Sequence, residues 1–402
     1  MTEKTFSPPE DIDLPSSTFW AKLPMIGLVL GAIGLAGTFA TWGSNREYLA
    51  HSYLFAFAVW LSVALGCLGF VVIQHVVRAG WSVSVRRLFE NGMAPLWVFA
   101  VLFIPVAILG HDLFPWTHKD HIDAVLERKL PYLNDSFFYV RAAIYFAVWI
   151  ALSMILYKKS TEQDAGGDVK KSVHTLWKVS AAGVILYGLS QTFASFDWLM
   201  SLQPHWYSTM FGVYFFAGSM LGAYSFITLV AMGLQRQGLL KTAITTEHYH
   251  DLGKFLFGHT IFWAYIAFSQ FMLIWYASIP EEVEFFYVRM EHGWAALSYL
   301  LPISNFFVPF FFLLSRHMKR RRSTLAIGAV YIFAVHVLDV YWLVMPTVHH
   351  SHFPNANLWI DAAALIGVGG VFLAAFGFYL NKNKLLAVGD PRLAESLAHE
   401  NY

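Results

Sequence analysis

The feature that most constrains this chain is a series of ten apolar runs, each long enough to cross a membrane. A helix that spans about 30 Å of hydrocarbon needs about 20 apolar residues. Of the 27 Lys and Arg and 26 Asp and Glu residues, only Arg141, Asp197, Asp339 and Asp361 lie within these runs. Because a lipid core leaves no partner for open strand edges, the sequence predicts an all-α polytopic protein with ten transmembrane helices. The runs are 23–42, 53–77, 92–110, 137–157, 179–200, 209–234, 255–277, 293–315, 323–345 and 359–380.

The composition excludes several classes of protein. Charged residues make up 13% of the chain, against about 25% in soluble domains, and they are too few to cover the surface of a soluble enzyme. A net charge of +1 gives no indication of nucleic-acid binding. The single cysteine, Cys67, excludes an internal disulfide, a CxxCH haem attachment and an iron–sulfur cluster held by this chain alone. We expect no metal site.

Lysine and arginine are distributed unevenly between the segments that join the runs. The N-terminal segment 1–22, the C-terminal tail 381–402 and every second loop between them hold 21 Lys and Arg residues, and the other loops hold five. Because cytoplasmic loops carry the excess of Lys and Arg, both termini are predicted to face the cytoplasm, on either side of a membrane domain over 23–380.

Two groups of ionisable residues within the runs are candidates for chemistry. His336 and Asp339 are three residues apart and therefore share a helix face. A histidine beside a carboxylate can accept and pass a proton near neutral pH. We expect this pair to face the protein interior. Asp197 is a further candidate proton acceptor, and it could instead form a structural ion pair with Arg141.

Other polar residues of the runs suggest a path for protons. His259, Tyr265 and Gln270 follow one another along the seventh run, and Gln191 lies deep in the fifth. Gln191 and Gln270 are the expected neighbours of the His336–Asp339 pair. The alternative is that such residues only join helices by hydrogen bonds. His75 is expected at the membrane interface, and Asp361 is expected to reach water.

Four segments carry a resemblance to a known family. They are KLPYLNDSFFYVR (129–141), FDWLMSLQPHWYSTMFGVYFFAG (196–218), HDLGKFLFGHTIFWAYIAFSQFMLIWYASIPEE (250–282) and HVLDVYWLVMP (336–346). With the count of ten runs, they resemble the NrfD-like integral membrane subunits of Alternative Complex III, a bacterial quinol:electron-acceptor oxidoreductase. The chain looks like the shorter, ActF-like member of the two related subunits in such complexes.

The resemblance implies two four-helix bundles flanked by two further helices, in the cytoplasmic membrane of a bacterium. It implies menaquinol as the reductant. The partners would be membrane lipids, a homologous NrfD-like subunit, an iron–sulfur subunit and c-type cytochrome subunits, so the clusters and haem c would lie outside this chain. On this interpretation Asp197, His336 and Asp339 take part in catalysis. The quinone-binding candidates are Arg141, Trp198 and His205.

Two alternatives differ in class from a quinol-handling subunit. In the first, the chain conducts protons or transports a solute without a quinone site, and His259, Gln270 and the His336–Asp339 pair form two half-paths. In the second, the chain is a scaffold that holds peripheral subunits. In each case the isolated chain would not be an active enzyme.

Overall fold

The computed structural model describes residues 11–118, 123–348, 352–353 and 357–401, and the regular secondary structure within them is helical. Ten helices in this part of the chain are long and apolar enough to cross a membrane, which confirms the predicted fold class. They are α1 (Phe19–Phe39), α2 (Arg46–Val76), α3 (Val83–Ile108), α4 (Asp135–Asp164), α5 (Val169–Leu202), α6 (Phe211–Arg236), α7 (Thr246–Ala277), α8 (Trp294–Leu314), α9 (Arg322–Thr347) and α10 (Leu358–Lys382).

Most helices are longer than the apolar runs because polar residues extend them into the loops. Several begin at a side chain that accepts a hydrogen bond from the first turn, as at Asn45, Asn134, Asp168 and Thr245. Such caps satisfy backbone N–H groups that have no partner inside the helix.

Helices α1 and α10 are held together by glycine. A Cβ atom at Gly34 would lie 2.3 Å from the backbone nitrogen of Gly367, and one at Gly370 would lie 2.3 Å from the nitrogen of Gly31. In lipid, where water does not drive helices together, such close backbone contact supplies the packing energy.

Helix α2 lies at the centre of the structure, and nearly all of its residues are buried. It packs against α3, α5, α6, α9 and α10, while α4 packs on α5 and α7 packs on α6. The implied division into two four-helix bundles stays a prediction.

The first part of α3 differs from the prediction, in which residues 78–91 are a loop between the apolar runs 53–77 and 92–110. Residues 83–93 form a helix in which every residue is buried. Arg86 bonds Glu90 at 3.0 Å and Asp390 of the C-terminal tail at 2.7 Å, and Arg87 bonds Glu90 at 2.8 Å and Asp164 at 2.5 Å. These ion pairs compensate charges that would otherwise be costly to bury.

The described parts of the N-terminal segment and the C-terminal tail lie together. The backbone N–H of Leu240 donates to the carbonyl of Asp11 at 2.9 Å, and that of Leu385 donates to the carbonyl of Ile12 at 2.9 Å. We call this side of the molecule the terminal end. Residues 1–10 and 402 of these two predicted segments lie outside the described residues.

Candidate functional site

Asp339 of α9 is buried and is held by two neutral hydrogen-bond donors. The hydroxyl of Tyr214 on α6 donates to Oδ1 in a short hydrogen bond, and the indole N–H of Trp263 on α7 donates to Oδ2 at 3.1 Å. No Lys, Arg or His of the described chain forms an ion pair with this carboxylate. A buried carboxyl group with neutral partners can change between its protonated and charged forms without breaking an ion pair.

His336 lies one helical turn away and bonds to a different helix. Its Nε2 is 2.8 Å from the hydroxyl of Ser62 on α2, and that hydroxyl donates to the carbonyl of Val59 at 2.6 Å. Nδ1, the other ring nitrogen, is buried and has no hydrogen-bond partner among the described residues.

The prediction that His336 and Asp339 face the interior is confirmed, since each side chain is 2% exposed. Both lie against Gly218, where an added Cβ would be 3.3 Å from Nδ1 of His336 and 3.8 Å from Oδ2 of Asp339. No hydrogen bond or ion pair joins the two side chains within the described part of the chain. Each group instead bonds to a partner on a neighbouring helix, His336 to Ser62 and Asp339 to Tyr214 and Trp263.

A cavity of about 580 Å³ lies beside Asp339 and is lined mainly by apolar residues of α7, α8 and α9. Tyr214 and Trp263, the two donors to Asp339, form part of its wall. Tyr265 and Tyr299 also line it and are 67% and 66% exposed, so the cavity reaches the membrane-facing surface. We call it the lateral cavity.

The lateral cavity adjoins an irregular part of α8. Residues 303–307 form a π-helical turn directly after Pro302, and both Phe306 and Phe307 line the cavity. Proline has no N–H to donate to the preceding turn. Such π-turns widen a helix locally and are frequent at functional sites.

Two predicted path residues, Gln270 and Tyr265, line this cavity and do not contact the buried pair. Oε1 of Gln270 accepts a hydrogen bond from Ser208 at 3.0 Å, which leaves the side-chain NH2 group as a donor at the wall. Gln191 donates to Ser219 of α6 at 3.0 Å. The structure therefore does not place Gln191 or Gln270 as hydrogen-bond partners of His336 or Asp339.

Arg289 lies close to the lateral cavity and is a residue that the sequence analysis missed. It is 1% exposed, and it donates to the carbonyls of Trp342 and Leu343 at the end of α9 at 3.1 and 2.7 Å. It also donates to Gln203 and lies over the ring of Phe285. Burial lowers the pKa of Arg289 to about 9. The negative end of the helix dipole stabilises this cation.

Asp197 and Arg141 form the ion pair that the sequence analysis offered as the structural alternative. Arg141 donates to both carboxylate oxygens, at 2.7 and 2.8 Å, and the hydroxyl of Tyr145 donates at 2.7 Å. Asp197 is fully buried. Trp198 packs among aromatic rings such as Trp149, with ring centroids 5.7 Å apart. None of these residues lines the lateral cavity.

The two remaining candidates lie elsewhere. His205 is 2.8 Å from Asp123 in the loops on the side opposite the terminal end, and both side chains are partly exposed. His259 lies near the middle of α7 (Thr246–Ala277), where Nδ1 is 3.0 Å from the carbonyl of Phe255. The structure thus does not gather the predicted site residues into one place.

One minor expectation is wrong. Asp361 does not reach water, because it is buried and accepts hydrogen bonds from Tyr48 at 2.6 Å, Ser52 at 2.5 Å and Tyr341 at 3.2 Å. His75 is buried in the last turn of α2, and its position at the membrane interface stays a prediction. A position near the end of an apolar run does not show whether a neighbouring helix covers it.

The fold and the site define a class, namely a multi-pass helical membrane protein with a lateral apolar cavity beside a buried carboxyl group. No model of a known protein family matches the chain, and no curated protein is significantly similar to it. Within the described residues, no group of three or more His, Cys, Asp and Glu side chains could hold a metal ion.

Proposed function

We propose that this chain is a membrane subunit of a quinol:electron-acceptor oxidoreductase of the Alternative Complex III type, and that menaquinol binds in the lateral cavity. The observation that carries the proposal is that the two donors to the buried Asp339 carboxylate, Tyr214 and Trp263, are also walls of a cavity open to the membrane. A hydrophobic quinol would enter from lipid and meet a proton acceptor at the inner end.

The size and lining of the cavity fit such a substrate. Ligand pockets usually enclose about 300–1,000 Å³ and are largely apolar with a few polar groups, and this cavity encloses about 580 Å³. Gln270 and Ser298 are polar residues of its wall. The NH2 group of Gln270 would donate to a quinol oxygen, and the aromatic rings would pack on the headgroup.

Oxidation of a quinol releases two electrons and two protons. The electrons would pass to the iron–sulfur clusters and haems that the family resemblance assigns to partner subunits. One proton would pass from the quinol hydroxyl to Tyr214 as Tyr214 gives its own proton to Asp339, and the second proton would be released from the other quinol hydroxyl to water. Asp339 would hold this proton as a neutral carboxyl group, because an apolar interior disfavours an isolated charge.

The test compares two buried carboxyl groups. Asp339→Asn in the assembled complex should lower kcat for quinol oxidation by about 100-fold, the lower range of general acid–base contributions, and Tyr214→Phe should lower it in the same direction. Asp361→Asn is the matched control, because Asp361 is also buried and accepts hydroxyl donors, but none of its donors lines the cavity. Unchanged turnover in Asp339→Asn, with normal assembly, would contradict the proposal.

The alternative is a proton-conducting or scaffold subunit without a quinone site. It is favoured by the buried polar side chains that lie away from the lateral cavity, among them His336 and Asp361. A photoreactive quinone analogue distinguishes the two. Labelling of α7 and α8 supports quinol binding here, and labelling of only another subunit supports the alternative.

We also propose that the terminal end faces the bacterial cytoplasm, on the basis of the excess of Lys and Arg in its loops. Cys67 is buried, so its background reaction with thiol reagents should be small. An impermeant maleimide added to intact spheroplasts should label Glu281→Cys but not Lys384→Cys. The reverse pattern would contradict this orientation.

A further inference from the structure

A second cavity, separate from the lateral cavity, lies on the surface of α7 at the terminal end. It encloses about 720 Å³. Aromatic residues form its apolar part, with Trp81 and Phe255 stacked at 5.6 Å and Phe262 further along α7. Gly258 also lines it, and a Cβ atom there would meet nothing within 4 Å. We call it the α7 groove.

The mouth of the α7 groove is polar and carries two exposed cations. Nζ of Lys254 donates to Oδ1 of Asn401 at 2.7 Å, and Nη2 of Arg316 donates to the backbone carbonyl of the same residue at 3.2 Å. Both cations therefore meet at one point of the C-terminal tail. This point lies at the terminal end of α7, where the apolar run begins.

The mouth also contains a buried carboxylate, Asp251, which already has two partners. Asp251 is 5% exposed, forms an ion pair with Lys254 and lies 2.6 Å from Nε2 of His399. Asp251 therefore compensates the charge of Lys254. Arg316 forms no ion pair among the described residues, so it is the cation of the mouth that lacks a counter-charge.

We propose that the α7 groove binds an anionic phospholipid, with its phosphate at Lys254 and Arg316 and one acyl chain along Gly258 towards Phe262. Phe262 lies eight positions after Lys254, a rise of about 12 Å along the helix at about 1.5 Å per residue, and this length matches roughly the first half of an acyl chain. A charged mouth continuous with an apolar groove is complementary to a charged headgroup on a long hydrocarbon. A neutral ligand such as a quinone would leave Arg316 without a counter-charge. The site does not depend on the proposed quinol chemistry.

The test titrates phosphatidylglycerol and phosphatidylcholine onto the full-length protein in mild detergent and follows bound lipid by native mass spectrometry. Each basic residue near a membrane surface is worth about a fivefold change in affinity for anionic lipid. The Lys254→Gln/Arg316→Gln variant should therefore bind phosphatidylglycerol about 25-fold more weakly and bind phosphatidylcholine as the parent does.

A second experiment fills the α7 groove with a bulky side chain and measures lipid binding again. Gly258→Phe should abolish the tight phosphatidylglycerol site. Gly188→Phe on α5 is the matched control, because a Cβ there also meets nothing within 4 Å and Gly188 does not line the α7 groove. Equal binding of the two lipids by the parent protein would overturn the proposal. So would equal lipid binding by Gly258→Phe and Gly188→Phe, or a crosslink that shows a protein chain in the groove in native membranes.

Discussion

The buried pair of Arg141 and Asp197 allows a quantitative prediction about stability. Arg141→Met removes the guanidinium that donates two hydrogen bonds to Asp197, at 2.7 and 2.8 Å, and one to the carbonyl of Tyr132 at 2.7 Å. It also removes the stacking of the guanidinium over Tyr132 and Phe137, at 3.8 and 4.4 Å. The variant leaves the Asp197 carboxylate buried, with Tyr145 as its remaining side-chain donor.

The expected decrease in the free energy of unfolding can be estimated from the interactions that Arg141→Met removes. A hydrogen bond to a charged group is worth about 1.5–3 kcal/mol, and two of them would account for about 3–6 kcal/mol. Breaking one side of a buried ion pair costs about 3–5 kcal/mol, because the other charge remains uncompensated. The estimate from the hydrogen bonds and the estimate from the ion pair agree. We therefore expect Arg141→Met to lower the free energy of unfolding by about 3–5 kcal/mol.

The assay is reversible unfolding in mixed micelles, and it includes a double variant and an exposed control. Arg141→Met/Asp197→Asn removes the buried charge and keeps the contact to Tyr145, so it should regain more than half of the loss. Lys158→Met removes an exposed cation that lies 4.0 Å from Glu162, and it should change the free energy of unfolding by less than about 1 kcal/mol. The reasoning is refuted if Arg141→Met loses no more than Lys158→Met, or if the double variant is as unstable as Arg141→Met.

Three further predictions concern packing, a buried cation and pH. Gly66→Ala would place a Cβ 2.1 Å from a carbonyl oxygen of α6, so it should lower the free energy of unfolding by about 1–3 kcal/mol. At Gly188 a Cβ meets nothing within 4 Å, so Gly188→Ala should raise the free energy of unfolding by about 0.5–1 kcal/mol. Arg289→Met should cost about 1–3 kcal/mol for each buried carbonyl left without a donor, measured by the same unfolding assay. Burial raises the pKa of Asp390, but Arg86 and nearby donors outweigh this and hold it below its ordinary value of 3.8. The ionised Asp390 therefore stabilises the fold above pH 3.8, and this contribution is lost as the pH falls through the lower pKa of the folded state. Asp390→Asn should therefore lose less stability on acidification than the parent protein does.

The polar residues show how far the sequence could indicate the site. Asp339 stood out because a carboxyl group within an apolar run is rare and costly, and in the structure its two hydrogen-bond donors, Tyr214 and Trp263, form part of the wall of the lateral cavity. Arg141 and Asp197 could be paired because they enter adjacent runs at similar depths. Tyr214 and Trp263 gave no signal, since aromatic residues are common throughout the runs.

The residues near the loops could not be placed from the sequence. Arg86 and Glu90 were assigned to a loop because four charges in residues 78–91 are typical of a solvated surface. The buried Arg86 is compensated in part by Asp390 of the C-terminal tail, which is 304 positions away in the chain. Arg289 was assigned to a loop for the same reason, and its burial depends on the end of α9.

The sequence by itself determined that this chain is a ten-span helical membrane protein. Insertion into lipid depends on the length and hydrophobicity of each segment, and both are local properties of the chain. The tertiary structure alone decided which buried polar groups meet and where cavities form. The contacts of Asp339 with Tyr214 and Trp263 join residues 125 and 76 positions apart. They exist because α6, α7 and α9 pack with particular faces together, and no single helix specifies that arrangement.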